Sequence, residues 1–213
     1  MSRPLLLGHR GARALRSIPE NTPASFDRAL AASCDGFEFD VRLTADGQAV
    51  VCHDAKVGHL VIARATARQL PSLPRLTDVL ERYRGAFLDI EVKVPGLEEI
   101  VIEGLRDCTP SRFVVSSFLP EVLRTVHAAD AAIPLGLICE TKAQLLRWNQ
   151  LPVEYVIAHR RLVTRDLIRE AHTVGRKVLV WTVNTTAQMK RFANWGSDGI
   201  ISDNPRLLSA TLR

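Results

Sequence analysis

Glu38 and Asp40 stand two residues apart in the apolar run Gly36-Phe37-Glu38-Phe39-Asp40-Val41. Asp89, Glu91 and Lys93 repeat that spacing in Phe87-Leu88-Asp89-Ile90-Glu91-Val92-Lys93. On an extended strand, residues two apart share a face and lie roughly 6–7 Å from each other. Glu38 and Asp40 therefore point one way, and Phe37, Phe39 and Val41 the other. Glu91 and Lys93 likewise share a face, with Asp89 one layer deeper and Ile90 and Val92 opposite. Carboxylates gathered on a buried face repel one another and are costly to keep ionised. A divalent cation among two or three of these carboxylates would relieve this, and all-oxygen ligands suit Mg2+ or Ca2+ rather than zinc. A buried ion network with Arg10 and Lys93 would relieve it too. The spacing favours the cation and leaves the network open.

His9 and His53 flank these carboxylates in the chain. Two histidines beside a cation suit acid–base work near neutral pH. Cleaving a phosphodiester needs a base for the attacking oxygen, an acid for the leaving one, and positive charge on the phosphoryl oxygens. Arg10 and Lys93 could supply that charge. His59, His127, His159 and His172 are read as structural, although His159 also falls at a strand end.

These residues need a frame that brings them together. Short β-rich runs at residues 4–8, 36–41, 86–92, 113–116, 133–138, 155–158, 177–183 and 199–202 predict eight strands. Helical patterns at 22–33, 77–83, 97–106, 120–129, 141–148, 164–173 and 186–195 separate most of them, and 205–212 closes the chain. Thr22-Pro23 reads as an N-cap followed by proline at the first helical position. Regular β–α alternation implies a parallel sheet, and eight units imply closure into a single (β/α)8 TIM barrel over residues 1–213. A dinucleotide-binding fold would want G-x-G-x-x-G after the first strand, and Gly8-His9-Arg10-Gly11 lacks that spacing. Thr44-Ala45-Asp46-Gly47 predicts a hairpin turn. Residues 48–52 would then return antiparallel and deliver His53 to the end of the second strand. Residues 55–74 read as a reduced lid, a loop with at most a short helix crossing the barrel mouth. In such a barrel the chemistry sits at the C-terminal strand ends. His9-Arg10, Glu38 to Asp40, Glu91 to Lys93, Ser116-Ser117, His159-Arg160, Trp181 to Asn184 and Ser202 to Asn204 all fall there.

Composition limits the alternatives. With 213 residues, 46% hydrophobic and 24% charged, the chain is an ordinary globular one. The net charge of +5 comes from 23 Arg and 5 Lys scattered along the chain. That pattern suits a basic surface attracting anionic substrates, and argues against a nucleic-acid partner. Cys34, Cys52, Cys108 and Cys139 show no zinc spacing, and Cys34, Cys52 and Cys139 read as buried free thiols. No apolar run reaches the ~20 residues of a membrane span. The expectation is a soluble cytoplasmic protein with no membrane insertion.

Gly8-His9-Arg10-Gly11, Pro19-Glu20-Asn21-Thr22, Gly36 to Val41, Leu43 to Gly47 and Val50 to Asp54 follow one another in order. Glu91-Val92-Lys93, Ser116-Ser117-Phe118, Val180 to Asn184 and Ser202 to Pro205 continue the series. On these motifs the chain resembles the glycerophosphodiester phosphodiesterases over nearly its whole length. The resemblance implies hydrolysis of small glycerophosphodiesters to sn-glycerol 3-phosphate and an alcohol. It implies one divalent cation, Mg2+ or Ca2+, on Glu38, Asp40 and Glu91, with His9 and His53 as the acid–base pair. Arg10 and Lys93 would hold phosphate. Glu20 and Asn21 would sit beside the metal, Glu20 as a possible further ligand, and Trp181 would wall the glycerol pocket with one polar handle. Residues 56–74 are short beside the family's usual insertion. The apolar stretch Val57 to Ile62 leaves a lysophospholipase D-type activity on lyso-lipids as a rival, and a non-catalytic barrel as another.

Overall fold

The computed structural model describes residues 3–213. The strands are β1 (Leu5–His9), β2 (Gly36–Leu43), β3 (Ala49–Val51), β4 (Lys56–Val57), β5 (Leu60–Val61), β6 (Phe87–Val92), β7 (Arg112–Ser117), β8 (Leu135–Cys139), β9 (Tyr155–His159), β10 (Lys177–Trp181) and β11 (Gly199–Ser202). The helices are α1 (Pro23–Ala31), α2 (Leu76–Arg82), α3 (Glu98–Cys108), α4 (Pro120–Ala129), α5 (Lys142–Leu145), α6 (Arg165–Thr173), α7 (Thr186–Trp195) and α8 (Pro205–Leu212). Eight parallel strands run in the order β1-β2-β6-β7-β8-β9-β10-β11, and β11 pairs back on β1 to close the barrel. This is the (β/α)8 architecture the alternation predicts.

The predicted alternation of faces on β2 and β6 holds. Phe37, Phe39, Val41, Ile90 and Val92 are fully buried in the large core between the barrel and its helices. Phe26 of α1 stacks on Phe37 with ring centroids 4.1 Å apart, and the edge of Tyr83 closes on both rings. Each such ring contributes roughly 1.5–3 kcal/mol by burial, and favourable aromatic geometry adds about 0.5–1.5 kcal/mol. A smaller cluster that includes Leu7, Phe87, Ile138, Ile157 and Ile201 fills the barrel interior. With the apolar residues so divided, the strand ends are left to the polar ones.

Local signals set the ends of the elements. The Thr22 side chain accepts from Ser25 N, and Pro23 opens α1, as the sequence predicts. Thr164, Thr185 and Asn204 cap α6, α7 and α8 in the same way. At the far end of the barrel, Asp198 accepts from the Val178 backbone N–H and from His172 Nε2, so His172 is structural.

Three expectations need correction. The helix predicted over 141–148 is one turn, α5, followed by a 3-10 turn at Trp148–Gln150, because α5 buries none of its side chains. Residues 55–74 are more ordered than a loop. They form the β4–β5 hairpin and 3-10 turns at Ile62–Arg64 and Ala67–Gln69. Ile62, Ala65 and Leu70 pack with Val50 of β3 in a small cluster of their own, so the segment is anchored on the β2–β3 hairpin. Cys34 and Cys139 are buried thiols, but Cys52 is half exposed.

Candidate active site

The loop after β1 places the first two candidates. A Cβ on Gly8 would lie 2.1 Å from Gly11 O, so only glycine permits this tight turn. Gly11 has φ +83° and packs on Ser25. Ser25 Oγ donates to Arg10 O and accepts from Ala12 N, locking the loop on α1. Arg10 (φ 49°) and Asn21 (φ 58°) hold left-handed conformations, which cost a non-glycine residue energy and occur where surrounding structure enforces them. The Asn21 N–H donates to Arg10 O. Its side chain then grips Asp40 from both sides, Nδ2 donating to Oδ2 at 2.8 Å and Oδ1 accepting from Asp40 N.

Strand register does the rest. Parallel pairing sets His9 beside Glu38, Glu38 beside Asp89, Asp40 beside Glu91 and Glu91 beside Ser116. Glu38, Asp40 and Glu91 each offer an oxygen within 4.8 Å of the others, and all three are buried. β3 takes over the edge of β2 beyond Glu38, where β1 leaves off. Cys52 N donates to Asp40 O, and Arg42 Nε donates to His53 O. The hairpin thus delivers His53 next to the end of β2, as its turn residues predict.

The ion network of the sequence alternative is present. Lys93 Nζ lies 2.6 Å from Glu91 and 3.2 Å from Asp40, and Arg10 Nε lies 3.2 Å from Asp40. It does not balance the site. Glu38, Asp40, Glu91 and Asp89 could carry four negative charges against two positive ones from Arg10 and Lys93. Glu38 Oε1 and Asp89 Oδ2 are buried with neither a hydrogen-bond nor an ion-pair partner. Native proteins rarely leave such atoms unpaired. Burial, then the charges of Asp40, Glu91 and Asp89, drive the Glu38 carboxyl well above the usual range. Burial and the Asp40 charge push Glu91 up to about 7 against the pull of Lys93. Burial pushes Asp89 to about 7 as well, against the Ser116 hydrogen bond. Burial opposes ionisation of Asp40 too, but Lys93, Arg10 and Asn21 outweigh it and hold Asp40 low. Unpaired oxygens, surplus negative charge and hard donors together fit a divalent cation.

The histidines stand on different walls. His9 lines a pocket with Glu38, Asp89, Glu91 and Trp181, while His53 lines a second cavity with Glu20 and Asn21. His9 Nε2 is 3.8 Å from Glu38, and its Nδ1 is 2.7 Å from Asp203 Oδ1. Burial disfavours charge on Asp203, yet hydrogen bonds from His9 and Asn184 overcome it and bring its pKa down to about 2. An ionised Asp203 can only accept, so His9 Nδ1 carries the proton and Nε2 faces the carboxylates. His53 Nδ1 meets Asp54 at 2.8 Å, while burial lowers the His53 pKa.

Other expected residues sit differently. Glu20 pairs with Arg10 and Arg13 and stays outside the carboxylate cluster. Trp181 walls the pocket, but its indole N–H donates to Ile157 O, so it offers a ring and no polar handle. The His159 ring rests edge-on against Trp181 at 5.3 Å. In the loop that raised lyso-lipid cleavage, Ile62 is buried and Val57 and Leu60 pack beside it. Asp203 escaped the sequence reading as a site residue; its place among the polar strand ends was the signal.

The fold and site define a (β/α)8 barrel with a buried carboxylate cluster at its strand ends, and the comparisons give the family. The glycerophosphoryl diester phosphodiesterase family matches residues 9–103 and 94–207. A glycerophosphodiester phosphodiesterase of Caldanaerobacter subterraneus subsp. tengcongensis is 30% identical, with 98% of each chain covered. The solved structure of a glycerophosphodiester phosphodiesterase from Thermotoga maritima superposes with a TM-score of 0.87 at 24% identity, covering 100% of both chains. An Oleispira antarctica phosphodiesterase, solved with the product sn-glycerol-3-phosphate, gives 0.84 at 25% identity, covering 98% of this chain and 96% of that one. The chain belongs to the glycerophosphoryl diester phosphodiesterase family. Among the described residues, no helix is long and apolar enough to cross a membrane.

Proposed function

We propose that this chain hydrolyses glycerophosphodiesters to sn-glycerol 3-phosphate and an alcohol, using one divalent cation, Mg2+ or Ca2+, on Glu38, Asp40 and Glu91. The observation that carries the reading is this buried trio, with oxygens within 4.8 Å of one another and an unmet acceptor on Glu38. When bound, the cation would neutralise the carboxylates and draw charge from the phosphoryl oxygens.

The remaining roles belong to the chain's own groups. Arg10 and Lys93 face the cluster and would take the phosphate's other oxygens as charge builds in the transition state. Asn21 keeps Asp40 in place from both sides. His9, with Nε2 free and Nδ1 held by Asp203, suits one proton transfer. His53, which lines the second cavity and is held by Asp54, suits the other. Whether the attacking oxygen is water or the hydroxyl beside the phosphate, the same pair serves both the attack and the departure. The product bound in the Oleispira antarctica phosphodiesterase supports the substrate class.

The test is glycerol 3-phosphate release from glycerophosphocholine and glycerophosphoethanolamine, first with EDTA and then with Mg2+ or Ca2+ restored. Release that depends on the added cation is expected. No release from either substrate by folded, cation-loaded protein would overturn the proposal.

A further inference from the structure

The cationic side chains around the barrel mouth are not equally occupied. Arg10, Arg13 and Lys93 each lie within ion-pair distance of at least one carboxylate, and Arg42 donates to His53 O. Arg160 and Arg161 follow β9 directly, and among the described residues neither pairs with a carboxylate. Arg160 is half-buried and Arg161 exposed. Arg160 Nη1 donates to Thr182 O at 2.9 Å and lies 3.3 Å from His159 Nε2. Its Nε and Nη2 meet no protein acceptor among the described residues and stay open to solvent. Burial, then the charges of Arg160 and Arg161, lower the His159 pKa, so that ring adds no charge here at neutral pH. Glu140, after β8, is exposed and pairs with neither arginine.

In the ring of eight strands, β9 stands opposite β2, which carries Glu38 and Asp40. Trp181 walls the pocket between them, the His159 ring meets it edge-on, and Arg160 anchors on the carbonyl of the next residue, Thr182. Arg160 therefore stands on the outer rim of the Trp181 wall. Beneath the site, Leu7, Phe87, Val114 and Tyr155 fill the barrel, so a departing alcohol has the mouth as its way out. A guanidinium tethered through Nη1 keeps its Nε–Nη2 edge free, and the two N–H groups of that edge match the two oxygens of a carboxylate. We propose that Arg160, assisted by Arg161, is a specificity-determining residue that receives an anionic substituent on the leaving alcohol, so that the chain favours glycerophosphodiesters whose alcohol carries a carboxylate. The inference rests on the proposed reaction and adds which alcohols it favours.

The test compares glycerophosphoserine with glycerophosphoethanolamine on cation-loaded protein. Their alcohols differ by a single carboxylate. Wild type should prefer the serine ester by about five- to tenfold in kcat/KM at low ionic strength, the scale of a charge-assisted contact at a half-buried site, and the preference should shrink at high salt. In Arg160→Gln the preference should fall to within about twofold, with the loss in KM for the serine ester. Arg160→Lys keeps the charge without the paired N–H groups and should fall between the two. Should Arg160→Gln fail to fold, Arg161→Gln, at an exposed position, should lower the preference on intact protein. Equal use of the two substrates by wild type overturns the assignment, as does an unchanged preference in the variants. An Arg160→Gln protein that loses both activities equally assigns Arg160 a structural role through Thr182 and also overturns it. If wild type cleaves neither substrate, the proposed reaction itself fails, which separates that failure from this one.

Discussion

Asp203→Asn removes one charge and almost no volume, and two distinct losses should follow. The first is stability. Asp203 sits at about 2 in the folded protein against an ordinary 3.8. At about 1.4 kcal/mol per tenfold change in affinity, that difference is worth ~2 kcal/mol. The sign is that of a depressed carboxylate: the stabilisation is complete above about 4 and is lost as pH falls toward 2. The variant should therefore unfold about 2 kcal/mol more easily at pH 7, and the deficit should shrink below pH 3. The second loss is chemical. An amide nitrogen turned toward His9 Nδ1 would demand an acceptor there, moving the ring proton to Nε2, the nitrogen that faces Glu38. A base with its lone pair on the wrong side should lower kcat by about 10²- to 10⁴-fold, the scale seen when a serine-protease triad loses its aspartate. Denaturant unfolding at pH 7 and pH 3, with steady-state turnover on the folded variant, measures both. A kcat within threefold of wild type would refute the tautomer argument. An equal stability deficit at both pH values would refute the charge argument.

Other outcomes follow from the same geometry. His53→Ala should lower kcat by about 10²-fold or more with the melting temperature nearly unchanged, because the ring is half exposed and meets only Asp54. Glu38→Gln should weaken cation binding in calorimetry; unchanged affinity would favour the Arg10–Lys93 network as the full account of the cluster. Glu91, ordinarily near 4.5, is held at about 7 by burial and by Asp40. Without a cation, its contribution to stability is complete below about 4.5 and is lost as pH rises through about 7. Cation affinity should rise across the same window with release of protons, detectable by calorimetry in buffers of different ionisation enthalpy. Phe37→Ala should cost about 3–5 kcal/mol in denaturant unfolding, since the ring is fully buried and stacked on Phe26.

Much of this site can be read from two strands. The alternation on β2 and β6 places Glu38, Asp40, Glu91 and Lys93 on one face because a barrel strand must bury Phe37, Phe39 and Val92 on the other. The turn at Thr44 to Gly47 foretells the return of β3, and with it the position of His53. What stays hidden depends on closure. The His9–Asp203 contact spans 194 residues and exists because β11 pairs with β1, a fact without a local signal. Glu20 was legible as a neighbour of the site but not as a partner of Arg10 and Arg13, because side-chain pairing follows from the loop's path. The hairpin at residues 56–61 was missed because its strands are two residues each, too short for alternation to register.

Lys93 carries one more consequence. Its ammonium lies between Asp40 and Glu91, on a residue that directly follows β6. The mouth of the barrel then behaves as an ion exchanger, with a tethered organic cation in the slot that a mineral one would contest. Loading should be a swap of counter-ions in which a side chain swings aside, and chelation should reverse it without unfolding. In that respect the barrel differs from a zinc finger, whose fold exists only with its metal in place.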